Sequence, residues 1–190
     1  MFSKYTDIFN QEYIDRIKTA IYTLYNNGNL YYENAKYVAG GFGRRDIPET
    51  LENINILNEI VSRDFGLKYK FTHSFSRIYF NGAVLNPHVD REGLDLTCTL
   101  TIFHNLKKPW PIHLSNNSLD RDYTFNLTEK EIDLKINQDP FFLNSYSSVN
   151  IEPNEMLIFN GRESPHWRHT LACSPEQHSV HVFYHWKLIE

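Results

Sequence analysis

Two histidines and an aspartate have the types and spacing to bind a divalent metal ion. His88 and Asp90 stand two positions apart in "PHVD", and residues two apart on an extended segment share a face. A third ligand must come from elsewhere, and the later segment "EMLIFNGRESPHWRHT" offers His166 or His169. Two histidines and one carboxylate on one side of a metal leave open positions opposite, which is typical of non-haem Fe(II) oxygenases. The pattern therefore predicts a metal centre with His166 or His169 as its third ligand.

The segment that follows the His-x-Asp pair is predicted to be a strand. In "LDLTCTLTIF", apolar residues at 96, 98, 100 and 102 alternate with threonines at 97, 99 and 101. Alternation with period two places the two sets on opposite faces. At least one face must be buried, and the threonine face either borders the site or is the solvent side of the sheet.

The rest of the chain predicts two helices followed by a β-rich region. Apolar residues at helical spacing favour a helix over about 8–26, and Pro48 with Gly66 bound a second over about 48–65. Beyond residue 70, short runs with period two predict strands in "FTHSFSRIYF", "LDLTCTLTIF", "WPIHL", "DYTFNL", "SVNI", "EMLIFN" and "SVHVFYHW". We therefore expect a mainly β fold of the α+β class, a sandwich or barrel with the helices packed outside.

Length and composition limit the alternatives. A chain of 190 residues is most simply one domain, here 1–190, with a helical support region at 1–69 and a β core at 70–190. A net charge of −4 gives no broad electrostatic basis for binding nucleic acid or an anionic membrane. The absence of a long apolar run and the presence of only two cysteines favour a cytoplasmic protein.

Two segments in this order resemble the Fe(II)- and 2-oxoglutarate-dependent dioxygenases, most closely the prolyl-4-hydroxylase-like branch. The first is "RIYFNGAVLNPHVD", in which Tyr79 and Gly82 precede the His-x-Asp pair. The second is "EMLIFNGRESPHWRHT", in which the phenylalanine of "LIF" precedes the distal histidine by a short loop. This spacing selects His166 over His169. The resemblance covers roughly residues 70–186 and implies a double-stranded β-helix, a cupin-like jelly roll flanked by the two helices.

The resemblance also implies a reaction. Fe(II) would be held by the catalytic residues His88, Asp90 and His166, with 2-oxoglutarate as cosubstrate and O2 as oxidant. Oxidative decarboxylation of 2-oxoglutarate to succinate would accompany hydroxylation of a C–H bond. The substrate would be a peptide or protein side chain, a free amino acid or another small molecule, and no nucleic acid or membrane partner is expected.

One feature departs from the family pattern. An Arg or Lys usually lies about ten residues beyond the distal histidine and binds the far carboxylate of 2-oxoglutarate. Here that region reads "SPEQHSVH", where only His178 and His181 could carry positive charge, and neither is a dependable cation at pH 7. A buried dicarboxylate nevertheless needs a permanent cation.

Three other basic residues are candidates for the cosubstrate anchor. Arg168 lies two residues beyond the distal histidine and would point into the same cavity, unless it makes a salt bridge at the rim. Arg77 shares a face with Tyr79, whose hydroxyl could bond the same carboxylate, but Arg77 could instead pair with Asp95. Lys187 is more distant. Tyr79 itself could be an aromatic residue of the barrel core.

Alternatives to this function remain open at this stage. A cupin-type metal enzyme that does not use 2-oxoglutarate would account for the missing downstream cation. A non-catalytic β-sandwich binding module would make the three ligands polar residues at strand ends. The glycine-rich "YVAGGFGRRD" is interpreted as a surface loop or flap, and Trp110 as a residue that could border the substrate entrance.

Overall fold

The computed structural model describes residues 2–35, 37–66, 68–120 and 127–189, which form ten strands and five helices. The strands are β1 (Phe2–Thr6), β2 (Tyr31–Asn34), β3 (Val38–Arg45), β4 (Tyr69–His88), β5 (Leu96–His104), β6 (Ile112–Ser115), β7 (Tyr146–Val149), β8 (Glu155–Phe159), β9 (His166–Arg168) and β10 (Ser179–Leu188). The helices are α1 (Gln11–Asn26), α2 (Pro48–Leu51), α3 (Ile54–Phe65), α4 (Glu129–Gln138) and α5 (Pro140–Leu143).

The strands form one curled antiparallel sheet in the order β1-β8-β5-β10-β4-β9-β6-β7, with β3 also paired to β4 and β2 paired to β3. The long strand β4 pairs with two different strands on the same path through the sheet. Its first part, Tyr69 to Tyr79, pairs with β10, whereas Leu85 and His88 pair with β9. The sheet therefore turns back on itself and encloses an interior. This is the predicted jelly roll, mainly β with helices outside.

Helices α1 and α3 pack on the outer face of the sheet. Asn10 caps α1 by accepting a hydrogen bond from the amide of Tyr13 at 2.9 Å, so the helix begins at residue 11 rather than 8. The apolar set of β5 faces these helices in the largest core cluster, whereas Thr97, Thr99 and Thr101 are buried on the opposite face. The threonine face is therefore interior and not the solvent side.

The segment 37–46 was wrongly interpreted as a loop, because it contains β3, which pairs with both β2 and β4. Glycine-rich sequence has low intrinsic strand propensity, and only the pairing with β4 makes it a strand. With β1 and β2, three strands precede residue 70 and join the sheet, so this region supplies more than helical support.

The predicted helix over 48–65 is interrupted, since α2 ends at Leu51 and α3 begins at Ile54. Most of the predicted strand "DYTFNL" lies outside the described residues.

A helical segment between β6 and β7 packs beside the metal-ligand segment. Thr128 begins α4 with a capping box, in which its hydroxyl and the carboxylate of Glu131 each accept a hydrogen bond from the other residue's amide. The buried residues of this segment form a cluster with Val89, the residue between His88 and Asp90. Across the described ranges, no helix is both long and apolar enough to cross a membrane.

Candidate metal centre

The ends of two paired strands bring the three predicted ligands together. His88 ends β4 and His166 begins β9, and these two residues are register partners. Asp90 follows immediately after β4, and its Oδ1 lies 4.0 Å from the Nε2 atom of each histidine. One ligand atom from each residue lies within 4.8 Å of the other two. His169 is exposed and stacks near His113 instead, with ring centroids 4.5 Å apart.

Backbone carbonyls orient both imidazoles. Nδ1 of His88 lies 2.8 Å from the carbonyl oxygen of Asn86, and Nδ1 of His166 lies 3.0 Å from that of Ser164. A carbonyl can only accept a hydrogen bond, so Nδ1 of each ring is the donor and Nε2 is the nitrogen left to bind a metal. Metal-binding histidines in proteins are held in the same way.

Asp90 is held by the turn that leads from β8 towards β9. Its amide donates to the carbonyl of Gly161 at 2.8 Å, and its Oδ2 accepts a hydrogen bond from the hydroxyl of Thr97. A Cβ atom on Gly161 would overlap both Oδ2 and the Thr97 hydroxyl, so this close approach requires glycine. Oδ2 is therefore occupied, and Oδ1 faces the histidines.

Burial and charge favour the ligand forms of these groups. Burial, with a smaller effect from His166, lowers the pKa of His88 to about 3. Burial alone would raise the pKa of Asp90, but the surrounding histidines and the Thr97 hydrogen bond outweigh it and lower that pKa. At neutral pH the site therefore presents a neutral imidazole beside a carboxylate, the protonation states that metal binding needs.

The ligands open into a cavity of about 410 Å³. Its wall combines aromatic, imidazole and hydroxyl groups with one inward-facing guanidinium. The residues used in the arguments below are His73, Arg77, Thr97, Thr99, Phe183 and His185. The arrangement can hold one metal ion at the edge of a small cavity that is partly open to solvent.

Comparison with solved structures identifies the fold. A Pseudomonas putida prolyl-4-hydroxylase aligns over 100% of this chain and 93% of its own, with a TM-score of 0.69 and 10% identity. The non-haem α-ketoglutarate-dependent carbocyclase SnoK from nogalamycin biosynthesis aligns over 99% and 81%, with a TM-score of 0.74 and 11% identity. HygX from Streptomyces hygroscopicus, solved with nickel, 2-oxoglutarate and hygromycin B, aligns over 98% and 82%, with a TM-score of 0.64 and 11% identity. This chain has the fold of the Fe(II)- and 2-oxoglutarate-dependent oxygenases.

The jelly-roll fold that the resemblance implies is thus confirmed in three dimensions. At the level of sequence, no protein-family model matches the chain, and no curated protein matches it. Identities near 10% explain why only a few short motifs carry the likeness.

Within the oxygenase fold, the three candidate anchor residues have different surroundings. Arg77 lines the cavity of the metal ligands, and Glu33 rather than Asp95 binds it. Arg168 is almost completely buried beside Tyr79 and Trp110, outside the group that lines this cavity. Lys187 is exposed on β10.

Arg168 is a buried cation with little compensation. Its Nη1 donates to the carbonyl of Trp110, but its Nε and Nη2 have no hydrogen-bond partner among the described residues. Burial lowers the pKa of Arg168 to about 10, which still leaves it charged at pH 7. Trp110 does not border an entrance: its ring packs 5.0 Å from that of Tyr79, and its indole N–H donates to the His169 carbonyl.

Sequence reasoning gave no role to His73 or Tyr37, which lie beside the candidate metal centre. His73 and His185 line the cavity with ring centroids 4.8 Å apart, and Nδ1 of His185 lies 3.1 Å from the Thr97 hydroxyl. Tyr37 stacks on the His88 ring at 5.0 Å. The position of His185 on the inward face of β10 was a usable signal. Nothing in the sequence indicated Tyr37, because its segment was taken for a loop away from the sheet.

Proposed function

We propose that this protein is an Fe(II)- and 2-oxoglutarate-dependent oxygenase that hydroxylates a C–H bond and converts 2-oxoglutarate to succinate. The observation that carries the proposal is the convergence of His88, Asp90 and His166, in which Oδ1 lies 4.0 Å from both Nε2 atoms. The oxygenase fold of the structural relatives supports it.

The donor set fits iron. Two neutral imidazoles and one carboxylate are a facial set that leaves other coordination positions open. Bound iron with 2-oxoglutarate and O2 would supply the oxidising power for C–H hydroxylation. The protein's part is to orient the imidazoles through the Asn86 and Ser164 carbonyls, fix Asp90 through Thr97 and Gly161, and limit water in the cavity.

The uncompensated guanidinium of Arg168 fits a carboxylate of 2-oxoglutarate. A buried cation with two nitrogens unbonded is costly, and an incoming carboxylate can accept from both nitrogens in a forked arrangement. Tyr79 adds a buried hydroxyl close to this charge: burial raises its pKa, and the charges of Arg77 and Arg168 oppose that shift. Arg168 lies beside the cavity wall, since its register partner on β4, Leu85, lines the cavity. We therefore propose Arg168 as the cosubstrate anchor, with Tyr79 as its neighbour.

The primary substrate must fit a limited space. The cavity of about 410 Å³ suits an amino-acid side chain or a small molecule rather than a large rigid ligand. We propose a peptide or protein side chain, as for a prolyl hydroxylase, or a free amino acid as the substrate.

The first test is an anaerobic titration of the metal-free protein with Fe(II) and then 2-oxoglutarate. We expect a weak visible charge-transfer band that requires both additions and is absent in His88→Ala, followed by succinate formation when O2 is admitted. Metal binding without the band would instead support a cupin-type enzyme that does not use 2-oxoglutarate. No metal binding would reduce the three residues to polar groups at strand ends.

A matched pair of variants tests the anchor. Arg168→Met should bind Fe(II) like the wild type but weaken 2-oxoglutarate binding by about tenfold or more, because a charge-assisted hydrogen bond contributes about 1.5–3 kcal/mol. Lys187→Met removes the exposed candidate and should leave the 2-oxoglutarate titration unchanged. Equal 2-oxoglutarate affinity in Arg168→Met and the wild type would remove Arg168 from the assignment.

A further inference from the structure

A second inward-facing arginine has the opposite electrostatic setting to Arg168. The Nε of Arg77 donates to Oε2 of Glu33 at 2.6 Å, and its Nη2 donates to Oε1 at 3.1 Å. Both side chains are less than a fifth exposed. This two-point pair neutralises Arg77 and does not use Nη1, while Arg77 itself lines the cavity of the metal ligands.

The surroundings hold the Arg77 guanidinium in one place. It lies over the rings of Phe75 and Phe183, 4.6 and 5.2 Å from their centroids. Glu33 reaches it across β3 at Gly43, where a Cβ would lie 2.8 Å from the Glu33 carboxylate and would also collide with the Phe75 ring. The absence of a side chain at Gly43 is therefore what lets the edge strand β2 present Glu33 to the cavity wall.

When Fe(II) and 2-oxoglutarate are bound, the buried charges of the site and its ligands already sum to zero. Fe(II), the Asp90 carboxylate, doubly charged 2-oxoglutarate and Arg168 sum to zero, and Arg77 with Glu33 sums to zero separately. Burial lowers the pKa values of His73 and His185 to about 4, so both are neutral at pH 7. The remaining charged residues of the wall, Arg91 and Glu129, are exposed and of opposite sign.

Building on the proposed function, we infer that Arg77 is the substrate-binding residue and that it donates from Nη1 to the uncharged carbonyl oxygen of an amide. The substrate class is therefore a peptide or other carboxamide rather than a free amino acid. The aromatic rings of Phe75 and Phe183 would flank the group that carries this carbonyl.

The physical reason is that the Glu33 carboxylate already neutralises the charge of Arg77. A substrate carboxylate at Nη1 would place a second buried negative charge beside Glu33, and among the described residues that line the cavity the only other cation, Arg91, is exposed. An amide oxygen gains a hydrogen bond from a charged donor without adding net charge. Arg168, which has no carboxylate partner among the described residues, is suited to the anionic cosubstrate. Arg168 would therefore bind 2-oxoglutarate, and Arg77 would bind the substrate.

The test uses pairs of probes with the same side chain, one with two uncharged backbone amides and the other with a free ammonium and a free carboxylate. The twenty N-acetyl amino acid amides and the twenty corresponding free amino acids are added to the anaerobic protein loaded with Fe(II) and 2-oxoglutarate. Binding is read from the shift of the charge-transfer band, and succinate release is measured after O2 is admitted. We expect at least one amide to bind tenfold or more tightly than its free amino acid in the wild type.

Two variants make the test specific to the ion pair. Glu33→Gln leaves Arg77 charged without a carboxylate partner. The ratio of the affinity for the amide to that for the free amino acid should therefore fall at least tenfold. The double variant Arg77→Met/Glu33→Gln, which leaves no unpaired buried charge, should lose amide binding while its titration with 2-oxoglutarate stays unchanged. Arg91→Met controls for the removal of an exposed positive charge.

The outcomes separate this inference from the proposed function. Absence of the band in wild type with Fe(II) and 2-oxoglutarate would reject the oxygenase itself. A normal band with tighter binding of free amino acids, or with no response to any amide, would overturn the substrate class. Loss of 2-oxoglutarate binding in the double variant would make Arg77 the cosubstrate anchor and overturn its assignment to the substrate.

Discussion

Asp90 illustrates how much a single ligand depends on its neighbours. Its Oδ1 is directed at both histidines because Oδ2 accepts from Thr97 and its backbone is fixed by Gly161. Thr97 in turn lies 3.1 Å from Nδ1 of His185. The carboxylate is thus oriented before any metal arrives, which lowers the cost of forming the site.

Replacing Thr97 by valine should weaken metal binding. The isosteric change removes the hydroxyl that holds Oδ2, and loss of such a partner typically costs about 10–100-fold in metal affinity. Fe(II) titration under anaerobic conditions measures the effect, and Thr97→Ser should restore most of the affinity.

Thr99→Val is the matched control for that variant. Thr99 is also a buried, inward-facing threonine of β5, but its hydroxyl has no hydrogen-bond partner among the described residues. If Thr99→Val and Thr97→Val lower the affinity for Fe(II) equally, the orientation of Asp90 is not the cause.

At the scale of elements, the helical segment α4–α5 packs against the candidate metal centre from outside the barrel. Val89 points away from the two ligands that flank it and into a cluster with Ile132, Ile136 and Phe142. The hydroxyl of Tyr37, whose ring stacks on His88, donates to the Asp133 carboxylate on α4 at 2.8 Å. The helix is therefore coupled to the ligand segment by an apolar and a polar contact.

Ile136→Ala should loosen this coupling. Truncation of a buried isoleucine costs about 2–5 kcal/mol, here concentrated on the packing between α4 and Val89. We expect faster amide hydrogen exchange over residues 129–143 and a several-fold weaker affinity for Fe(II). Leu134→Ala, on the same helix but 45% exposed, should change neither quantity. Faster exchange with unchanged Fe(II) affinity would show that α4 does not support the ligands.

At the scale of the whole molecule, the barrel interior contains several buried imidazoles that are neutral at pH 7. Burial lowers the pKa values of His73 and His185 to about 4, and it lowers the pKa of His181 well below its usual value. Hydroxyl groups such as Thr101 and Ser179 bond the His181 nitrogens. The jelly roll can therefore enclose these imidazoles only while they are neutral.

This interior predicts sensitivity to acid. The unfolded chain binds protons on His73 and His185 near pH 6.5, whereas the native state does so only near pH 4, so acid favours the unfolded state. The free energy of unfolding of the metal-free protein should be highest above about pH 6.5 and should fall as the pH is lowered towards 4. Between pH 7.5 and 5, His73 and His185 each account for a loss of about 2 kcal/mol.

Denaturant unfolding across that pH range measures the slope. His73→Asn keeps a hydrogen-bonding group that does not titrate, so its stability should fall less steeply with acid than that of the wild type. A free energy of unfolding that does not change between pH 7.5 and 5 would show that these histidines titrate normally in the native state.

The jelly roll and the third candidate ligand, His166, were implied by the family resemblance. Local patterns were sufficient to predict the mainly β fold, the α1 helix and the shared face of His88 and Asp90. Each of these rests on information within a few residues: period-two alternation places the threonines and apolar residues of β5 on opposite faces, and the "PHVD" spacing places two donors on one face. The preference for His166 over His169 came from the family-like spacing, and the register of β4 with β9 agrees with it.

Only the tertiary structure decided which charges are compensated. Arg77 and Arg168 looked alike as anchors, but Glu33 lies 44 residues from Arg77 and reaches it only because β2 and β3 join the sheet beside β4. Arg168 remains uncompensated because β9 places it against Trp110 and Tyr79 rather than near a carboxylate. Spacing along the chain determines which faces side chains share, whereas burial and pairing depend on strands brought together from distant parts of the sequence.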